Sequence, residues 1–411
     1  MPTTPAGANS AVAEQYEKWI YPFPIADLSA PEVRAMRDGG DPEINWHTYW
    51  PNRPLRRDLD ILIAGCGSNS AARYAFNHPK ARIVGIDLSS ASLKHEAFLK
   101  DKHKLTNLTL RQMRIEEVRT LGRDFDFIDT SGVLHHLPDP VAGLRALGEV
   151  LRPEGTIAVM VYGRFGRAGV YAMQELFRLL DLKQDETGVQ VVKNTLAALP
   201  KRHVITDYLT RTRDTAYDAG LVDTFLHRQD RAYSAPECVG FAKDAGLSFM
   251  HWWDNILYYP EGQIDLSSDL YRRVAALPDE SAWSFMELYN GTLGQHAFCV
   301  CRPDRPVSSY RIDFTGNAFL NYVPIARGQA VAPSTPLAPD WIAVQRTGFP
   351  VYSLNPATAG LYKQANGIRT IRECFAQSGL TAQSDAEMET ICRAVFKYLW
   401  RTSHVHLKLP A

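Results

Sequence analysis

Between residues 59 and 162, short apolar runs alternate with stretches whose apolar residues recur at three- and four-residue intervals. The runs have strand length and are rich in Ile, Val, Leu and Phe, while the stretches between them have helical periodicity. This pattern predicts strands over 60–64, 82–86, 107–111, 124–130 and 155–162, and helices over 69–77, 90–101 and 139–151. Pro153 and Gly155 read as the turn before the fifth strand. Alternation of this kind implies a parallel, doubly wound α/β sheet.

The rhythm breaks over 163–232, a helical and more charged stretch that reads as an insertion. It resumes at Ser234, which is placed to cap a helix running to Ala245, with Gly246 ending it. Strands follow over 247–252 and 295–301, so the α/β unit is expected to close near 303. Residues 304–340, rich in Pro, Gly and Ala, read as a linker. Residues 341–411 read as a compact helical tail with a closing strand over 404–409. Thr370 and Glu373 form a capping-box pattern there, and the tail resembles a small winged-helix domain. At the other end, residues 1–10 are expected to be disordered and 11–22 to form a helix stopped by Pro22 and Pro24. The expected domains are thus an N-terminal aromatic helix and arm (1–54), an α/β domain (55–303), a linker (304–340) and the tail (341–411).

Charge narrows the partners. Forty-five Lys and Arg balance 45 Asp and Glu, so no global field draws nucleic acid or an anionic membrane. The first residues have neither a charged nor an apolar signal region, and no run reaches the roughly 18 apolar residues of a spanning helix. The six cysteines (66, 238, 299, 301, 374 and 392) are scattered, which suits a reducing cytoplasm. Cys299 and Cys301 share a strand face, but no second Cys/His pair has ligand spacing, so no metal site is expected.

The chemistry concentrates at strand ends. The first run breaks at Gly65-Cys66-Gly67, and the second ends in Asp87. Two neighbouring parallel strand ends, one with bare backbone and one with a carboxylate, make a site for a nucleoside whose ribose hydroxyls need an acceptor. The fourth strand leads into Ser131-Gly132-Val133-Leu134-His135-His136-Leu137-Pro138-Asp139-Pro140. A histidine at such a mouth, His135 or His136, can take a proton near neutral pH.

Three blocks in order, Ile63-Ala64-Gly65-Cys66-Gly67, Gly85-Ile86-Asp87-Leu88-Ser89 and the His135-His136 segment followed by Leu151-Arg152-Pro153-Glu154-Gly155, resemble the class I S-adenosylmethionine-dependent methyltransferases. The resemblance covers about 55–162 well and 233–303 loosely. It implies a Rossmann-like sheet and S-adenosyl-L-methionine as cofactor. By that resemblance Gly65, Cys66, Gly67 and Asn69 would lie against the cofactor's methionyl part and ribose. Asp87 would accept the ribose hydroxyls, and Leu88, Met113 and Arg114 would line the adenine. Ser131 and Gly132 would lie beside the sulfur. The chain departs from the family at Ile63, where many members carry an acid, and at Asn69, where they carry a third glycine. Tyr16 and Tyr21 are expected to fold over the site, Tyr162, Arg164 and Arg167 to face the methyl acceptor, and the segment 225–233, with His227, Asp230 and Tyr233, to form a substrate lid or else a solvated surface loop. The Cys66 thiol itself reads as packing. The acceptor is expected to be a small molecule, or else a peptide, with the tail docking on the enzyme or forming a homodimer. The competing readings are a non-catalytic binding module and a nicotinamide-dependent oxidoreductase.

Overall fold

Asp60–Ala64 is buried at all five positions and forms the first strand, β1, as expected of a strand covered on both faces. The computed structural model describes residues 14–34, 36, 39–333, 336–346 and 349–410. The disorder expected over 1–10 and the start of the helix expected over 11–22 lie outside these residues; 14–18 are helical. No helix among the described residues is long and apolar enough to cross a membrane.

The chain divides into two compact units. The first comprises Met1–Asp41, Arg56–Phe249 and Glu287–Arg305. After β1 it continues through α1 (Ser70–Asn77), β2 (Arg82–Asp87), α2 (Ser90–His103), β3 (Leu108–Gln112), β4 (Phe125–Ser131), α3 (Pro140–Glu149) and β5 (Leu151–Gly163). The sheet order is β3-β2-β1-β4-β5-β8-β7, with β7 at Ser248–Trp252 and β8 at Gln295–Cys301. Strands β1 to β5 are parallel, and β8 runs antiparallel to β5. A two-residue β6 (Ala232–Tyr233) pairs with the end of β5. Ser89 caps α2 by accepting the Ser92 N–H at 3.0 Å, and Asp139 caps α3 by accepting that of Ala142 at 2.9 Å.

The expected turn at Pro153 and Gly155 is instead part of β5. Phe125 opposes Leu151 and Phe127 opposes Thr156, so β5 carries extra residues against β4. A bulge accommodates Pro153, which has no N–H to give the ladder.

The stretch 163–232 forms α4 (Ala168–Leu179), α5 (Glu186–Ala198), α6 (Thr206–Arg211) and α7 (Asp218–Phe225) around a core that includes Met173, Phe177, Val192, Ile205 and Phe225. Trp19 packs against that core and donates its indole N–H to the Gln184 carbonyl at 3.1 Å. Helix α8 (Ala235–Asp244) then starts with a Ser234–Glu237 capping box.

The second unit comprises Pro42–Leu55, Met250–Met286 and Pro306–Ala411. Residues 304–340 therefore do not form a linker: Phe319 and Leu320 are buried in this unit's core, and β9 (Val323–Ala326) pairs antiparallel with β13 (Val405–Lys408). Aromatic residues spaced among Pro and Gly supply that core. The strands β10 (Gln329–Val331), β11 (Ile342–Gln345) and β12 (Val351–Leu354) form a second small sheet. Three helices, Pro356–Gln364, Ile371–Gln377 and Asp385–Arg401, complete the unit, and the expected Thr370–Glu373 capping box opens the second of them. Residues 250–286, expected within the α/β domain, join this unit; there Trp252 stacks on Tyr258 with centroids 3.8 Å apart.

Candidate active site

The β1 and β2 ends adjoin. Gly65 and Cys66 both donate their backbone N–H to the Ile86 carbonyl at 2.9 Å. Gly67 donates to Asp87 Oδ2 at 2.8 Å, and Ser89 donates to Oδ1 at 2.8 Å. The first amides of the turn are therefore used within it, contrary to the expectation that they reach a cofactor. What the turn's second glycine permits is close approach of the N-terminal segment. Gly67 has φ +55°, and a Cβ there would lie 2.8 Å from Pro22 Cδ and 3.0 Å from the Tyr21 carbonyl. Each Asp87 oxygen keeps a second lone pair for a hydroxyl donor.

Residues 16–23 cross this edge. Ser68 Oγ donates to the Pro22 carbonyl at 2.7 Å, and Asn69 Nδ2 to that of Phe23 at 3.3 Å. Asn69 thus ties down the N-terminal segment rather than presenting its amide to a ligand. Glu17 accepts from the Ser90 and Ala91 amides at the start of α2. Tyr16 donates its hydroxyl to Asp223 Oδ1 at 2.7 Å, and Tyr21 stacks on Tyr217.

Beyond the β4 and β5 ends lies a buried polar and aromatic cluster. The His135 ring is 3.9 Å from that of Tyr162 and 4.2 Å from that of His136, and the His136 and His227 rings stack at 4.0 Å. His136 Nδ1 lies 3.0 Å from the Gln229 carbonyl, while His227 Nδ1 accepts the Gln229 N–H at 3.0 Å. These partners put the proton of neutral His136 on Nδ1 and that of neutral His227 on Nε2. Tyr162 donates to Asp223 Oδ2 at 3.4 Å, and the Arg167 guanidinium lies 3.5 Å from the Tyr162 ring centre.

Residues 62–157 match a family described as a methyltransferase domain. A trans-aconitate 2-methyltransferase from Deinococcus radiodurans is 35% identical over 112 residues, 27% of this chain and 40% of that enzyme. A ubiquinone biosynthesis O-methyltransferase from Pseudomonas fluorescens is 26% identical over 143 residues, 34% of this chain and 60% of that enzyme. The matches thus span less than two thirds of either enzyme. An uncharacterised protein of Synechococcus sp. is 28% identical over 324 residues, 74% of each chain. Among solved structures, PKMT2 from Rickettsia typhi shares the fold, with a TM-score of 0.62 at 15% identity over 90% of this chain and 76% of its own. It is also known in complex with AdoHcy. Residues 62–157 are thus a methyltransferase domain, and the named relatives indicate an S-adenosylmethionine-dependent enzyme.

The methyltransferase's expected site residues sort unevenly. Leu88 and Met113 flank Asp87, the Met113 amide donating to the Asp87 carbonyl at 3.1 Å. Arg114 follows them, but its half-exposed side chain lies 3.6 Å from Glu116. Ser131 N–H donates to Asp129 at 3.0 Å, and Gly132 N–H to the Met160 carbonyl at 3.1 Å. Tyr16, Tyr162, His135, His136 and His227 meet as described. Arg164 does not join them: it pairs with Glu237 at 2.6 Å with half its side chain exposed. Arg167 takes the inward position, 3.3 Å from Asp230. Tyr233 pairs through β6 and packs on Phe241. Asp223 and Tyr208 were missed; an acid or a tyrosine inside a helical insertion gives no local signal.

Burial governs the titration of this region. It pushes His135 and His227 well below the usual histidine range, helped by the neighbouring His136 and Arg167. It pushes the Tyr16 and Tyr162 phenols up, helped by Asp223, so both stay protonated donors. It raises the Cys66 thiol well above its ordinary value, in line with a packing role. His136, Asp223 and His227 bring ligand atoms within 4.8 Å of one another, a spacing a metal ion could use. The Gln229 contacts, however, leave a lone pair on His136 Nε2 and a proton on His227 Nε2, an acceptor beside a donor rather than two lone pairs.

Glu96 is a further residue that sequence reading passes over. It is fully buried, and its two oxygens accept the Ala71 and Ala72 amides of α1 at 2.9 and 2.8 Å. Burial outweighs these bonds and pushes it up to about 8. An unfolded Glu titrates near about 4.3, and each unit of difference is about 1.4 kcal/mol. The folded protein holds the extra proton between these values, so stability should fall as pH rises from about 4.5 to about 8. Urea midpoints measured across that window should decline for the wild type and stay flatter for Glu96→Gln.

Proposed function

We propose that this methyltransferase methylates a small nucleophilic molecule that binds against the cluster of Tyr162, His136 and His227. The observation that carries the reading is the enclosed cluster of histidines and protonated tyrosines at the β4 and β5 ends, in the same unit as the Gly67–Asp87 edge. Its burial favours a small acceptor over a nucleic acid or a folded protein.

Asp87 would accept the ribose hydroxyls, and residues 16–23 would exclude water. When bound, S-adenosyl-L-methionine supplies a methyl group already activated on a sulfonium, so the protein's task is alignment and proton removal. His136 Nε2 takes the acceptor's O–H or N–H proton as the new bond to carbon forms. His227 Nε2–H and the Tyr162 hydroxyl orient the acceptor. Arg167 fixes the Tyr162 ring from its outer face.

Calorimetric titration of the full chain with S-adenosyl-L-methionine and with AdoHcy tests the reading. Saturable one-to-one binding of both is expected. Failure to bind either would leave a non-catalytic module as the better account.

A further inference from the structure

The second unit contains a cleft that methyl transfer leaves unused. Its lining includes His47, Asn255, Arg327, Trp400, Ser403 and His406, all within that unit. It offers about 30 Å³ to the centres of water-sized molecules. At about 10–15 Å³ per water, that is room for two or three waters or one compact polyatomic anion.

Charge in and beside the cleft is unbalanced. The Arg346 side chain is 9% exposed and bonds directly to Asp254, while Arg327, 16% exposed, reaches the same carboxylate at 3.7 Å. Two guanidinium groups on one carboxylate leave a positive charge in excess. A buried charge is costly unless it is paired. Burial, then the neighbouring Arg346, draws Arg327 down to about 10, still charged at neutral pH. Burial, then Lys408, draws His47 down to about 4, so it is a neutral hydrogen-bonding ring. His47 Nδ1 is buried without a partner. His406 is likewise pushed well below its ordinary range, by burial and then by Arg327.

A positive charge short of partners, an unpaired imidazole nitrogen and hydroxyl and amide groups thus converge on a space of a few waters. We propose that this cleft binds a small oxyanion, a phosphate or carboxylate group, with Arg327 as its charged partner and His47 as a hydrogen-bonding one. The site is distinct from the Asp87 edge and does not depend on the methyl-transfer reading.

The full chain is titrated with inorganic phosphate and, separately, with acetate, each against chloride at matched ionic strength. Calorimetry and the melting temperature are the readouts. At least one oxyanion should bind and raise the melting temperature by several degrees; phosphate alone assigns a phosphoryl ligand, and acetate alone a carboxylate. Arg327→Gln should abolish the effect and leave S-adenosyl-L-methionine binding unchanged. If that variant fails to fold, His47→Ala should weaken the same oxyanion by about tenfold, the size expected for one lost hydrogen bond to an ion. Stabilisation no greater than with chloride, or an equal response from a folded Arg327→Gln, overturns the proposal.

Discussion

Asp87→Ala should weaken S-adenosyl-L-methionine binding by about 10²–10⁴-fold, since two hydrogen bonds to a charged acceptor contribute about 1.5–3 kcal/mol each. The carboxylate has two jobs that must be separated. It accepts the Gly67 and Ser89 amides, which fix the turn, and it has lone pairs left for ribose hydroxyls. Alanine removes both roles. Asparagine keeps one oxygen for a backbone amide but turns an N–H₂ toward the other partner. Burial also raises the Asp87 pKa, so the site favours a ligand that gives this carboxylate donors. The decisive comparison sets calorimetric affinity for AdoHcy beside melting temperature in both variants. A variant that melts near the wild-type temperature and binds poorly isolates the ribose role. Wild-type affinity in Asp87→Ala would remove Asp87 from the cofactor site.

The parts of this region that a sequence shows are those made by neighbouring residues. Gly65, Gly67 and Asp87 are legible because a turn and a strand end are local events, and the parallel register of Ala64 with Ile86 brings them together automatically. The parts made by distant residues are not legible. Tyr16 meets Asp223 across 207 positions, through an insertion whose helices pack on their own core. Arg164 and Arg167 show how little the composition of a loop decides. They lie on the same short connection after β5, yet Arg167 sits at the start of α4 and turns inward while Arg164 remains at the surface. Glu96 fails for a different reason. In the sequence it is an acid amid lysines and histidines on a helix, a pattern that reads as a solvated face. In the fold it is the partner of another helix's first amides. The supposed linker misleads because Pro and Gly mask Phe314, Phe319 and Tyr322, which are core residues spaced too widely for any periodicity.

His136→Asn should lower kcat by about 10²–10⁴-fold, the usual contribution of a positioned general base, and leave cofactor affinity unchanged. The choice between the two adjacent histidines rests on anchoring. His135 is fully buried with no partner for either ring nitrogen, and its ring lies between those of Tyr162 and His136. His136 is oriented by its Nδ1 contact with the Gln229 carbonyl, which leaves Nε2 as an acceptor. An asparagine amide can reproduce the Nδ1 contact but supplies no base at the Nε2 position. The fold should therefore survive the substitution while proton removal does not. A panel of small hydroxyl and amine acceptors, scored by AdoHcy release, gives the wild-type activity against which the variant is measured. A variant whose kcat stays within a few-fold of wild type would assign the base to another group. Burial pushes His135 and His227 well below the usual histidine range, which makes both weaker bases than an ordinary imidazole.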